Sequence, residues 1–180
     1  MFILVTGGSG SGKSAYAEEC ACAFNCGQMY YIAAMICRDD ESRARVSRHR
    51  EMRSGKGFTT IERYTDLAGL RLPDHGAGKT DICVLLECLS NLTANEMFDE
   101  NGSGDGAEEA VKAGIDSLLK QCDNLVVVTN EIFSDGIRYD SASEKYRQVL
   151  AGINAYLAAL ADRVVEVVCG IPVILKDSQR

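Results

Sequence analysis

The 180-residue sequence is long enough for one domain with a full hydrophobic core, so we expect a single domain over residues 1–180. Its formal net charge of −7 argues against a broad nucleic-acid-binding surface. No apolar run approaches transmembrane length, and an apolar strand is predicted from residue 2. We therefore expect neither a membrane segment nor a signal peptide, and place the chain in the cytoplasm.

The eight cysteines do not follow a metal-binding or disulfide pattern. The sequence contains no C-x-x-C pair and no His/Cys grouping with zinc spacing. Cys83, Cys88 and Cys169 lie in or beside apolar runs. We interpret the cysteines as free thiols that pack as small buried apolar side chains in a reducing compartment.

The strongest motif lies near the N-terminus, between a predicted strand at residues 2–6 and a predicted helix at residues 13–24. It reads G-x-x-x-x-G-K-S, the pattern of a phosphate-binding loop whose backbone N–H groups surround a phosphate. Lys13 is expected to reach the β- and γ-phosphates, and Ser14 to ligate Mg²⁺. The predicted nucleotide-binding residues of the loop are Gly7, Gly8, Ser9, Gly10, Ser11, Gly12, Lys13 and Ser14.

A second strand at residues 29–34 precedes a helix, residues 39–53, that is rich in arginine. Like charges on one helix face repel each other unless an anion lies nearby, so this pattern in an acidic chain favours polyphosphate binding over a solvated surface helix. His49 lies among these arginines, and the neighbouring cations should keep its imidazole neutral and nucleophilic. A purely structural histidine is the alternative. The basic residues are Arg43, Arg45, Arg48, His49, Arg50 and Arg53.

Two further strands, at residues 58–62 and 81–87, end in the carboxylates Glu62 and Glu87. A phosphate-loop enzyme places its magnesium-binding acid at the end of such a buried strand, so Glu87 is the candidate partner of Ser14. Its alternative role is to cap the next helix. The sequence at residues 78–80 imitates the end of a phosphate loop but lacks the required first glycine and a following helix, and we dismiss it together with His75.

The rest of the chain continues the alternation of helices and strands. Helices are predicted at residues 89–99, 108–122 and 141–161, and a core strand at 124–129. Residues 132–140 suit a substrate loop. Two last strands at 164–168 and 171–175 form a predicted hairpin. The whole indicates an α/β, P-loop NTPase-like three-layer fold with a mostly parallel sheet and an antiparallel C-terminal strand.

The chain resembles a specific family, the bifunctional adenosylcobinamide kinase / adenosylcobinamide-phosphate guanylyltransferases of cobalamin biosynthesis. The resemblance extends over nearly the whole chain in order. Its most specific parts are the end of the strand at residues 127–131 and the helix segment at 151–154. The residues that carry it are Ile3-Leu4-Val5-Thr6-Gly7-Gly8, Ser11-Gly12-Lys13-Ser14, Tyr31-Ile32-Ala33, Asp39-Asp40-Glu41, Arg45-Val46, His49-Arg50, Thr60-Ile61-Glu62, Leu85-Leu86-Glu87-Cys88-Leu89, Asn95, Val127-Val128-Thr129-Asn130-Glu131, Gly136-Ile137, Arg147, Ala151-Gly152-Ile153-Asn154, Ala161-Asp162 and Val167-Val168-Cys169-Gly170-Ile171.

This resemblance implies two reactions. The first phosphorylates adenosylcobinamide with ATP or GTP. The second transfers GMP from GTP, through a guanylyl-histidine at His49, to adenosylcobinamide phosphate and gives adenosylcobinamide-GDP. The resemblance also implies a trimer with sites between subunits. It extends the nucleotide site to Ala33, Ala34, Met35, Arg50, Glu51, Met52, Arg53, Glu62 and Glu87.

The sequence departs from the family pattern at three places. Gly10 stands where many members carry arginine, and Arg48 stands where some members have a second histidine. Residues 133–140 replace the usual Gly-Met-Gly-Ile-Val-Pro-Glu loop. Two alternatives to the bifunctional enzyme stay open: a simple P-loop small-molecule kinase without a covalent intermediate, and a GTP-binding regulatory module. The second is disfavoured because Thr129-Asn130-Glu131-Ile132 stands in place of the guanine-reading N-K-x-D motif.

Overall fold

A computed structural model describes residues 1–37, 39–73 and 81–178, without the side chains of residues 41, 42, 45, 49 and 52. His75 and the sequence at 78–80 that imitates a phosphate loop therefore lie outside the described residues. The strands are β1 (Phe2–Thr6), β2 (Gln28–Ala33), β3 (Phe58–Glu62), β4 (Ile82–Glu87), β5 (Asn124–Val128), β6 (Arg163–Val168) and β7 (Ile171–Asp177). The helices are α1 (Lys13–Ala23), α2 (Asp40–Arg53), α3 (Leu89–Phe98), α4 (Ala107–Leu119) and α5 (Ser141–Leu160).

The strands form one sheet in the order β3-β2-β4-β5-β1-β6-β7. All neighbouring strands are parallel except β6 and β7, which form an antiparallel hairpin. The predicted α/β fold with an antiparallel last strand is therefore confirmed. Because β1 lies inside the sheet between β5 and β6, the loop that follows it begins at the protected carboxyl end of the sheet.

Helices cover both faces of this sheet. On one face, Ala17 and Ala21 of α1 pack against Val5 and Leu85. On the other, the buried side chains of α3, α4 and α5 form the larger core with Leu4 and its neighbours. Continuous apolar strands such as β4 and β5 follow from this arrangement, since both of their faces are buried.

The cysteines are all free, as expected, but they are not uniformly buried. Cys83 lies in the core, whereas Cys37 and Cys169 are exposed. The interpretation of the cysteines as buried apolar side chains is wrong for these two residues. Cys169 is the first residue of the two-residue turn between β6 and β7, and its side chain is exposed there.

Among the described residues, no helix combines the length and apolar character needed to cross a bilayer.

Candidate functional site

The phosphate-binding loop is shaped by close contacts with the β6–β7 hairpin. Gly12 is the N-cap residue of α1 and has a φ of 93°, and a Cβ there would lie 3.3 Å from the Cα of Gly170. A Cβ on Gly7 would lie 2.6 Å from the carbonyl oxygen of Val167. The Gly170 N–H also donates to the Ser11 carbonyl over 2.8 Å. Glycines are therefore required at both ends of the loop by backbone packing as well as by backbone conformation.

Within the loop, the Lys13 side chain is directed back over the backbone. Its Nζ donates to the Gly8 carbonyl over 2.9 Å, and the residue is only 9% exposed. The ammonium group is thus held near the N-terminus of α1. That position is favourable for an anion, because the first N–H groups of the helix lack partners within the helix.

Glu87, at the end of β4, connects the phosphate-binding loop to β2. Ser14 Oγ donates to Glu87 Oε1, and the Tyr31 hydroxyl donates to Glu87 Oε2 over 3.1 Å. Burial, followed by the Glu87 charge, raises the pKa of Tyr31 far above its ordinary value. The Tyr31 phenol therefore stays protonated and acts as a hydrogen-bond donor to the carboxylate.

The ring of Tyr31 also contacts the arginine-rich helix. The guanidinium carbon of Arg53 lies 3.4 Å from the centre of this ring, in a cation–π contact, and Arg53 is only 8% exposed. Within the described part of the chain, Arg53 Nη1 is buried and has no hydrogen-bond partner. A buried donor without a partner costs free energy, and an anionic ligand would satisfy it.

At the edge of the site, Arg50 pairs with Glu62. Arg50 Nη2 lies 3.2 Å from Glu62 Oε1, and both side chains are more than half exposed. The Tyr64 hydroxyl donates to Glu62 Oε2 over 2.9 Å. Because an exposed ion pair contributes little stability, Arg50 can exchange Glu62 for a phosphate oxygen at small cost.

These groups surround one cavity of about 470 Å³. Among its described lining residues, four cations (Lys13, Arg48, Arg50 and Arg53) outnumber two carboxylates, in a chain that is acidic overall. A cavity of this size and charge suits a nucleoside triphosphate. Its described lining comprises Ser9, Gly10, Ser11, Gly12, Lys13, Ser14, Ala15, Tyr31, Ala33, Met35, Cys37, Val46, Arg48, Arg50, Arg53, Thr60, Glu62, Tyr64, Glu87, Cys88, Asn91 and Asn130.

Comparison with known proteins identifies the family. The model of the cobinamide kinase / cobinamide phosphate guanyltransferase family matches residues 3–175. The chain belongs to this family. It is 36% identical over 187 residues to the bifunctional adenosylcobalamin biosynthesis protein CobU of Escherichia coli, covering 98% of this chain and 100% of that protein. The protein of the same name from Salmonella typhimurium is 34% identical with the same coverage.

Solved structures support the fold alone. A DnaB-like replicative helicase gives a TM-score of 0.51 at 12% identity, covering 92% of this chain and 47% of that chain. A prototypical ATPase from the type III secretion system of pathogenic bacteria gives 0.50 at 13% identity, with coverages of 92% and 50%. Both agree with a P-loop NTPase-like arrangement of the sheet and helices.

The structure brings most of the predicted site residues to the cavity. The Gly8 carbonyl accepts a hydrogen bond from Lys13, and the Ala34 carbonyl accepts one from Asn95 Nδ2 over 2.9 Å. Gly7, Gly8, Ala34 and the exposed Glu51 do not line the cavity. The backbones of His49 and Met52 lie in α2, but their side chains fall outside the described part of the structure. The assignment of these site residues stays a prediction.

Sequence reasoning did not assign several residues that line the cavity, among them Tyr31, Asn91 and Asn130. Asn130 follows β5, and its Nδ2 donates to Ser90 Oγ over 2.6 Å. A polar residue directly after a parallel strand is a signal that could have identified Asn130. Tyr31 offered no such signal, since it lies within an apolar strand.

Proposed function

We propose that this chain carries out both reactions of its family in the cytoplasm. It phosphorylates adenosylcobinamide with ATP or GTP, and it transfers GMP from GTP through a guanylyl-His49 intermediate to adenosylcobinamide phosphate. The products of the second reaction are adenosylcobinamide-GDP and pyrophosphate. The family match and two relatives described as bifunctional adenosylcobalamin biosynthesis proteins support this proposal.

The observation that carries it is a single cavity with two kinds of phosphate-binding element. One wall is the loop at residues 9–14, which suits the β- and γ-phosphates of a nucleotide. Another is the arginine-rich helix α2, which provides Arg48, Arg50 and Arg53. A kinase needs the first wall alone, whereas attack at the α-phosphorus benefits from further cations around that phosphate.

The kinase reaction uses the phosphate loop and the Ser14–Glu87 pair. Lys13 would hold the β- and γ-phosphates. The loop N–H groups would stabilise the negative charge on the phosphoryl group during its transfer. Ser14 and Glu87 would hold Mg²⁺, whose role is to neutralise phosphate charge. Among the described residues, no group of three or more His, Cys, Asp or Glu side chains could form a metal site. One hydroxyl and one carboxylate, completed by water and phosphate oxygens, fit Mg²⁺ well.

The guanylyl transfer uses His49. A neutral imidazole nitrogen attacks the α-phosphorus of GTP, a P–N bond forms, and the bond to pyrophosphate breaks. An oxygen of adenosylcobinamide phosphate then attacks the same phosphorus, and the P–N bond breaks to restore the histidine. His49 follows Arg48 and precedes Arg50 on α2, and both arginines line the cavity. They would stabilise the charge on the reacting phosphate.

The remaining predicted residues complete the nucleotide site. We assign the segment from Ala33 to Met35, the C-terminal turn of α2 and Glu62 to the binding of the nucleotide. We also propose that residues 1–180 act as a single catalytic domain and that the active form is a trimer. The resemblance to the family supports both statements.

The deciding experiment is incubation with α-³²P-labelled GTP and Mg²⁺, followed by denaturation. Wild-type protein should keep label that acid removes and base does not, as expected of a phosphoramidate. His49→Ala should lose the label, while His75→Ala, at the other of the chain's two histidines, should keep it. Label retained in His49→Ala would exclude His49 as the nucleophile. No label on folded, GTP-binding wild-type protein would favour a simple kinase.

A further inference from the structure

Tyr31 makes specific contacts with three parts of the molecule. Its hydroxyl donates to Glu87 Oε2, its ring face lies against the Arg53 guanidinium, and Phe58 meets the ring edge-on with 6.5 Å between the ring centres. The first contact leads to the phosphate-binding loop through Ser14, and the second leads to the arginine-rich helix. Tyr31 therefore joins the two phosphate-binding walls of the cavity.

We propose that Tyr31 is a positioning residue for both reactions: its hydroxyl orients Glu87 toward the metal–nucleotide site, and its ring orients Arg53 toward the nucleotide phosphates. This inference rests on the proposed function, because it deepens the role of the same cavity. Tyr31 acts through Glu87 and Arg53 and needs no direct contact with the reacting atoms.

The role of the hydroxyl follows from how Glu87 is held. Glu87 is 7% exposed, and each of its two carboxylate oxygens accepts a side-chain hydrogen bond, from Ser14 and from Tyr31. A Mg²⁺ ion bound by Ser14 and Glu87 would replace the first of these hydrogen bonds. The Tyr31 hydroxyl would remain as the group that fixes the carboxylate plane, as partners of metal-ligating carboxylates commonly do.

The role of the ring follows from how Arg53 is buried. Stacking on Tyr31 leaves the edge of the guanidinium available, and Arg53 Nη1 has no hydrogen-bond partner among the described residues. An aromatic face can hold a cation without using its N–H donors. Tyr31 therefore orients Arg53 and leaves an N–H donor of Arg53 for an anion. A carboxylate partner in the place of Tyr31 would occupy that donor.

The neighbouring residue provides a matched control. Tyr30 is also fully buried in β2 but packs into the core on the opposite face of the sheet, where its hydroxyl lies 3.5 Å from the Pro73 carbonyl. Tyr30→Phe thus removes the same atom from the same strand without touching the cavity. If Tyr31 were only a core residue, the two substitutions would have similar effects.

The test measures equilibrium binding of a fluorescent GTP analogue during a Mg²⁺ titration and in EDTA, together with melting curves. Tyr31→Phe should raise about tenfold the Mg²⁺ concentration at which the increase in GTP-analogue binding is half-maximal. The affinity for the analogue in EDTA should stay unchanged. Tyr31→Leu should also weaken binding in EDTA about tenfold, because Arg53 loses its aromatic support. Tyr30→Phe should change neither quantity.

Two results for the variants would overturn the inference: Tyr31→Phe with the Mg²⁺ requirement of the wild type, or Tyr31→Leu with wild-type affinity in EDTA. A wild-type affinity for the GTP analogue that does not depend on Mg²⁺ would refute the role given to the hydroxyl. These readouts do not depend on the covalent step. Missing label with the expected binding pattern would therefore refute the proposed function alone, whereas normal label with unaffected Tyr31 variants would refute this inference alone.

Discussion

Replacing Lys56 by methionine tests a buried ion pair that joins α1 to the segment between α2 and β3. Lys56 Nζ lies 2.6 Å from Glu18 Oε2. The Glu18 side chain is fully buried at 0% exposure, whereas the Lys56 side chain is 35% exposed. Among the described residues, Glu18 Oε1 has no hydrogen-bond partner. Methionine keeps the length of the lysine stem but removes the cation that pairs with this buried carboxylate.

The expected loss is about 2–3 kcal/mol in the free energy of unfolding. Breaking a fully buried ion pair by removing one partner typically costs about 3–5 kcal/mol, because a charge is left buried without compensation. We expect a loss at or just below the lower limit of this range, since the 35% exposure of Lys56 allows water to reach the vacated position. For a chain of this length, the corresponding fall in melting temperature is roughly 5–10 °C.

Urea unfolding followed by circular dichroism, at one fixed protein concentration, measures this loss. The double variant Glu18→Gln/Lys56→Met should recover most of it, because the buried group is then neutral. Lys145→Met serves as the control: its partner Asp105 is 94% exposed, so no measurable change is expected. A loss below about 1 kcal/mol in Lys56→Met, or a double variant as unstable as the single one, would refute the reasoning.

Two further substitutions test the site and its support. Lys13→Ala should weaken GTP binding about 10- to 100-fold, because it removes a charged hydrogen bond to phosphate. The melting curve without nucleotide should change little. Unchanged GTP affinity would refute the role assigned to Lys13. Asn95→Ala should lower the free energy of unfolding by about 2 kcal/mol, because Asn95 Nδ2 donates to the carbonyls of both Ala34 and Tyr64, over 2.9 and 3.0 Å. Urea unfolding checks this, and wild-type stability would mean that water satisfies both carbonyls.

Most of the fold could be predicted from the sequence, because its elements differ in apolar pattern and are separated by polar or glycine-rich segments. The predicted end of β2 differs by one residue, and the helix predicted at 108–122 ends at Leu119. The hairpin was recognisable from Cys169-Gly170 between two apolar runs. The order of the strands was not predictable in this way, since β1 pairs with β5 and β6, more than a hundred residues distant in sequence.

In the candidate site, too, residues in local motifs could be predicted, whereas contacts between distant segments could not. Lys13 and Ser14 could be assigned from spacing within one motif, and Glu87 from its place at the end of a strand. Tyr31, the partner that holds Glu87, could not be assigned from the sequence, because that contact depends on which residues of two strands lie side by side.

Tyr30 and Tyr31 show why the strand register decides this. They are neighbours of the same type in one apolar strand, and alternation places their side chains on opposite faces of the sheet. The structure pairs Ala33 with Glu87 in parallel strands. Tyr31 lies two residues before Ala33, so it shares the face of Glu87, and its long side chain can reach the carboxylate one step along the sheet. A register shifted by one residue would have given this contact to Tyr30, and nothing in the local sequence distinguishes the two arrangements.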